Sequence, residues 1–214
     1  AFPYDPATID ALIVTHAHQD HIGRIPKLVK DGFSGTIYST MPTKELSEVM
    51  LDDTAGILAH DAREENREPL YTKKDIQDAL KLWKGLPYHD TFEFLPGISF
   101  TFRDAGHVLG SAIVELSANG KKIVFTGDLG NSPSPLLHDI EGLGEIDYLI
   151  MESVYGDRNH DDREDRSKQL ERVIEDTVHR GGVLMIPAFS LERTQELLAE
   201  LNDFIEHERV PRVP

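Results

Sequence analysis

The 214 residues suffice for one large domain, or for one domain and part of another, and 39% of them are hydrophobic, enough for a sizeable core. No apolar run is long enough to span a membrane, and the absence of cysteine excludes disulfides and thiolate ligands, making the cytoplasm the expected compartment. A formal net charge of −16 counts against a passive polyanion binder, which would carry a basic patch. It counts less against a metalloenzyme, because bound divalent cations reverse the local sign at a carboxylate-rich site.

In chain order, Pro3 and Pro6 mark an extended lead-in, and Ala11-Leu12-Ile13-Val14 reads as a buried strand. Thr15-His16-Ala17-His18-Gln19-Asp20-His21 follows at its C-terminal end. Alternate side chains of an extended segment face the same way, so His16 and His18 can share one cation. If the chain turns into a helix at Asp20 and His21, those two side chains serve a neighbouring position. The spacing suggests two adjacent metal sites with nitrogen and oxygen donors suited to zinc; the competing reading is a histidine-rich surface turn.

Ile22, Ile25, Leu28 and Val29 have helical spacing, which tolerates Pro26 only if the first turn begins near it. Gly32 and Gly35 close that helix. Residues 36–40 read as a strand, and Pro42-Thr43 opens a long helix towards Glu65, with Thr43 or Ser47 as its cap. Residues 61–69 are expected as an exposed bend, and residues 73–83 as another helix, ended by Gly85 and Pro87. From Thr91 the period becomes two: Phe92, Phe94, Ile98, Phe100 and Phe102 form a hairpin around Pro96-Gly97. Residues 112–116 and 122–126, joined by Asn119-Gly120, predict a second hairpin.

Residues 148–151 are expected as a further buried strand. Past Gly156 the composition shifts, and the acidic and arginine residues at 161–165 start a helix that runs to about His179. Residues 183–186 read as a very apolar strand. Ser190 is expected to cap a last helix whose stripe is Leu191, Leu197, Leu198, Leu201 and Ile205. This mixture of hairpins and strand–helix connections predicts a layered α/β (α+β) architecture, not an all-parallel sheet.

Two later strand ends carry ligand-type residues among glycines. In Gly106-His107-Val108-Leu109-Gly110-Ser111 the glycines permit a tight loop that can aim His107 into a cleft. In Thr126-Gly127-Asp128-Leu129-Gly130 the carboxylate of Asp128 can bridge two cations with its two oxygens. Either stretch alone reads as a turn. Together with the cluster at His16 to His21, the turn-only reading loses ground.

These stretches, with Ile22-Gly23-Arg24-Ile25-Pro26 and Met151-Glu152-Ser153-Val154-Tyr155-Gly156-Asp157-Arg158, resemble the metallo-β-lactamase fold hydrolases, and within them the β-CASP RNA-processing nucleases. They are closer to the cleavage-and-polyadenylation endonuclease type, with its bacterial and archaeal relatives, than to the ribonuclease J type. The resemblance implies an αββα sandwich at residues 1–156, lacking its first strands, and the beginning of a β-CASP domain at residues 157–214. It implies that His16, His18 and His107 hold a first zinc, that Asp20 and His21 serve a second, and that Asp128 bridges both. Glu152 matches an acidic residue of the first β-CASP motif, which supports the ligands from a strand end.

The implied activity is hydrolysis of RNA phosphodiester bonds by a two-zinc centre, endonucleolytic and open to exonuclease action, with Asp20, Asp128 and Glu152 as catalytic residues. Two further readings remain: a hydrolase of another phosphodiester or a thioester, and an inactive RNA-binding or scaffolding subunit. The intact six-residue ligand set argues against the last. The expected partners are RNA, the remainder of the same polypeptide and a second copy in a homodimer, with no membrane. No initiator Met precedes Ala1, and the family's Asp-Cys-Gly motif, general-acid histidine and final zinc histidine find no match. The chain is therefore expected to be a piece of a longer one, with a sheet edge and face uncovered. His60, His89, His138, His179 and His207 match no motif, and His160 stays a weak candidate.

Overall fold

A computed structural model describes residues 2–159 and 163–211, and the side chains of all of these except 163–165. His160 lies outside the described residues. The chain divides into two compact units, Ala1–Glu152 and Ser153–Pro214.

The first unit is layered. Three short strands, β1 (Ala11–Ile13), β2 (Thr36–Thr40) and β3 (Trp83–Leu86), form a parallel sheet in that order. Helices α1 (Gln19–Ile22), α2 (Ile25–Lys30), α3 (Met41–Glu64) and α4 (Lys73–Leu82) supply the connections between them. Alternation along the strands decides the layering. Ile37 faces the helices, in a core with Ile22, Ile25, Leu28, Leu51, Ile76 and Trp83, while its neighbour Tyr38 faces a second sheet with Ile13 and Leu86.

That second sheet runs β4 (Thr91–Leu95), β5 (Ile98–Asp104), β6 (Ala112–Ala118), β7 (Lys121–Phe125) and β8 (Tyr148–Ile150), antiparallel except for the last pair. Phe100, Phe102, Ala112 and Val114 fill the space between the sheets, and the Phe100 ring packs tilted against Tyr38, centroids 5.4 Å apart. Each fully buried phenylalanine contributes about 1.5–3 kcal/mol by leaving water. On the sheet's other face Ile113 and Val124 are covered by Leu129, Ile140, Leu143 and Ile146 from the long β7–β8 connection. A cleft of about 380 Å³ opens between the sheets beside β1, lined by Ile13, Phe94, Val114 and Phe125.

Several expectations need correction. The helix predicted to reach Trp83 stops at Leu82, and Trp83–Leu86 becomes β3, which pairs with β2 from Ile37↔Trp83 onward. Its indole N–H donates to Ser39 Oγ at 2.8 Å, a long-range bond that no local pattern announces. The cap of α3 is Thr40, whose hydroxyl accepts from the Thr43 N–H, and not Thr43 or Ser47. That helix also continues through residues 61–64, so the bend is shorter than expected. β8 forms but is not buried: Tyr148, Leu149 and Ile150 are about half exposed, because the core under the β7–β8 connection includes none of their side chains.

In the second unit α5 (Arg163–His179) and α6 (Arg193–Glu206) share a small core of Ile174, Phe204 and Val210, joined by Leu170, Val178, Leu184 and Leu201. The α6 stripe centres on Leu201 and Phe204, whereas Leu198 faces solvent. Arg209 donates to Glu171 Oε2 at 2.5 Å and lies over the Phe204 ring. Residues 183–186 form no strand. No strand among the described residues pairs with them, and Val183 and Met185 are exposed. Nor does Ser190 cap α6: the N-cap is Glu192 at φ 66°, while the Ser190 carbonyl accepts from Gln195 Nε2.

Candidate metal centre

Four connections meet where β1, β5, β7 and β8 end. Beyond β1 the extended chain is held on both sides: Val14 N–H donates to Tyr38 O, and Ala112 N–H donates to Thr15 O, both at 2.8 Å. His16 is fully buried, its Nδ1 lying 3.1 Å from the Thr15 hydroxyl, which leaves Nε2 for another partner. That Nε2 makes no hydrogen bond. It lies 3.7 Å from Asp128 Oδ2, beyond hydrogen-bond reach. His18 is the N-cap of α1, and its Nδ1 is 3.1 Å from His107 Nε2.

One donor atom from each of His16, His18, His107 and Asp128 lies within 4.8 Å of the others. Buried imidazole nitrogens without partners, gathered around one carboxylate, form a donor set that fits a divalent cation of the zinc type. The second group attaches through His21. Its Nε2 is 3.4 Å from Asp128 Oδ1 and 3.6 Å from Asp20 Oδ2, with the Asp20 side chain largely exposed. Asp128 thus turns Oδ2 towards His16 and His107, the latter at 3.6 Å, and Oδ1 towards His21.

Burial, reinforced by the neighbouring His21, His107 and His18, lowers the pKa of His16 to about 2, so its ring stays neutral and able to coordinate. Burial also lowers that of His107, with His18 adding to the effect and Asp128 and Glu152 opposing it. The turn that carries Asp128 is fixed by two residues. Glu152 Oε1 accepts from Leu129 N–H at 2.7 Å, and Glu152 N–H donates to Thr126 Oγ1 at 3.1 Å. Gly127 sits at φ +55°, and a Cβ there would come within 2.7 Å of Thr15 Cβ. Only glycine lets the Asp128 turn approach the histidine strand so closely.

The structure therefore brings together His16, His18, His21, His107 and Asp128, sets Asp20 at the rim beside His21, and puts Glu152 behind the Asp128 turn. Thr126 stands in the Gly-Asp stretch, but the sequence assigned it no role; the structure gives it one as acceptor of the Glu152 N–H. Among the described residues no helix is long and apolar enough to cross a membrane.

The layered fold and the ligand cluster define the class. The chain belongs to the metallo-β-lactamase superfamily, whose domain matches residues 5–148. It is 35% identical over 213 residues to Ribonuclease TTHA0252 of Thermus thermophilus, covering all of this chain and 47% of that one. It is 38% identical over 214 residues to Transcription termination factor FttA of Methanocaldococcus jannaschii, covering 95% of this chain and 33% of that one. Endoribonuclease YSH1 of Kluyveromyces lactis is 30% identical over 211 residues, covering 96% and 28%. The chain thus spans a quarter to a half of the length of these relatives. Their names agree with the resemblance to the β-CASP RNA-processing nucleases.

Proposed function

We propose that this chain carries the metal centre of a zinc-dependent ribonuclease that hydrolyses RNA phosphodiester bonds with two cations. The observation that carries this reading is the orientation of Asp128, whose two carboxylate oxygens face separate histidine groups. His16, His18, His107 and Asp128 would hold one zinc, and Asp20, His21 and Asp128 the other. When bound, the metals supply positive charge against the phosphate oxygens and acidify a water for attack. Asp20, exposed beside His21, would orient the attacking water and accept its proton at a carboxylate oxygen. His16, kept neutral by burial, offers Nε2 at any physiological pH. Glu152 acts through the Leu129 N–H and holds the Asp128 carboxylate in place. The ribonuclease and termination-factor names of the relatives support RNA as the substrate class. Those names give no support to a homodimer.

Metal analysis of the purified protein, followed by cleavage of end-labelled RNA with and without EDTA, tests this. Bound zinc, EDTA-sensitive cutting and a loss of at least 100-fold in Asp128→Asn are expected. Zinc-dependent hydrolysis of a generic phosphodiester or a thioester with RNA left intact would assign the centre to another substrate. No zinc and no cutting would refute the proposal.

A further inference from the structure

His107 is carried by a loop without regular secondary structure, yet a metal ligand must be held to within about 0.5 Å of its working position. The loop is tied together at one residue outside the ligand set. Ser111 is fully buried, and its hydroxyl oxygen accepts from the backbone N–H of His107 at 3.0 Å and of Val108 at 3.2 Å. Ser111 N–H donates to Val108 O at 2.9 Å. Its carbonyl accepts from Ala105 N–H at 3.2 Å and from the Tyr88 hydroxyl at 2.9 Å. The adjoining Gly110 carbonyl accepts from the hydroxyls of Thr40 and Thr43, at 2.6 and 2.8 Å, at the start of α3. Gly110 itself sits at φ +82°, where a Cβ would come within 2.7 Å of Thr43 N.

Every bond in this set acts on the backbone of residues 105–111, and the His107 N–H is among the groups held. Removing the Ser111 hydroxyl would leave the N–H groups of His107 and Val108, in a largely buried loop, without that acceptor, and an unsatisfied buried donor is costly. The loop would turn to find other acceptors and carry the His107 ring with it.

We propose that Ser111 is a positioning residue of the metal centre, its hydroxyl setting the backbone at His107 so that Nε2 faces His18 and Asp128. The inference rests on the metal-binding reading above. The competing account is a plain loop anchor that stabilises the fold and leaves the affinity for metal alone.

A double-variant cycle separates them. Zinc affinity of the chelator-stripped protein is measured by competition with a chromophoric chelator for wild type, Ser111→Ala, His107→Ala and the pair. Ser111→Ala is expected to weaken zinc binding about 10–100-fold and to add little once His107 is gone. Should Ser111→Ala fail to fold, Tyr88→Phe, which removes one bond to the Ser111 carbonyl, is expected to give the same dependence on His107 with a smaller fold-change. Wild-type affinity in the variant that folds, or an equal loss with and without His107, would overturn the proposal. If wild type takes up no zinc, the metal-binding reading falls and this inference with it. If wild type binds zinc and the variant binds it equally well, the inference alone falls.

Discussion

His16 shows how much one buried side chain decides. Ringed by three other imidazoles and cut off from water, it holds its proton only at about pH 2. In an unfolded chain a histidine titrates near 6.5. Between those values the unfolded state binds more protons, so the stability of the metal-free protein rises with pH. The contribution is fully present above about pH 6.5 and is lost as pH falls towards 2, with a slope of at most about 1.4 kcal/mol per pH unit per histidine. His107, lowered for the same reason, adds in the same direction. Urea titrations of EDTA-treated protein between pH 7.5 and 4.5 check this. Wild type should lose stability faster than His16→Gln, and parallel curves would contradict the assignment.

At the scale of elements, β3 is the informative case. Trp83 closes α4 and opens a strand at once, filling the core between sheet and helices while its indole N–H reaches Ser39 on β2. Trp83→Phe keeps an aromatic ring but leaves a void and removes the donor. It should destabilise the protein by about 1–3 kcal/mol, seen as a lower urea midpoint, without changing zinc affinity. A fall in zinc affinity would mean that β3 supports the metal centre more directly than its packing indicates. β8 is the opposite case: it pairs correctly with β7 yet leaves Tyr148, Leu149 and Ile150 half exposed at a sheet edge.

For the whole molecule, the cluster lies entirely within the unit Ala1–Glu152 and joins residues distant in sequence, His16 to Asp128. A cation bound there stabilises the folded state by mass action. At zinc concentrations a hundredfold above the dissociation constant, this amounts to about 2.7 kcal/mol. For a chain of this length, stripping the metal should lower the melting temperature by about 5–10 °C, and adding zinc back should restore it. Calorimetry with and without chelator decides; an unchanged melting temperature would show that the cluster holds no metal.

Much of this was legible in the residues themselves. Alternation and turn chemistry are local, so the strand at 36–40 and the hairpins at Pro96-Gly97 and Asn119-Gly120 could be read directly; Asn119 and Gly120 indeed take positive φ. The helix start at Ile25-Pro26 follows from proline's fixed φ in the same way. The candidate ligand residues were also visible as candidates, and the structure brings donor atoms of His16, His18, His107 and Asp128 together. Tertiary structure alone decided the rest. Trp83 became a strand because β2 offered it a ladder, whereas residues 183–186, equally apolar, found no pairing strand among the described residues. Thr40 became a cap that also holds the His107 loop, and Asp128 turned one oxygen to each histidine group. Such outcomes depend on contacts between positions far apart in the chain, and no local pattern of residues encodes which partner will be there.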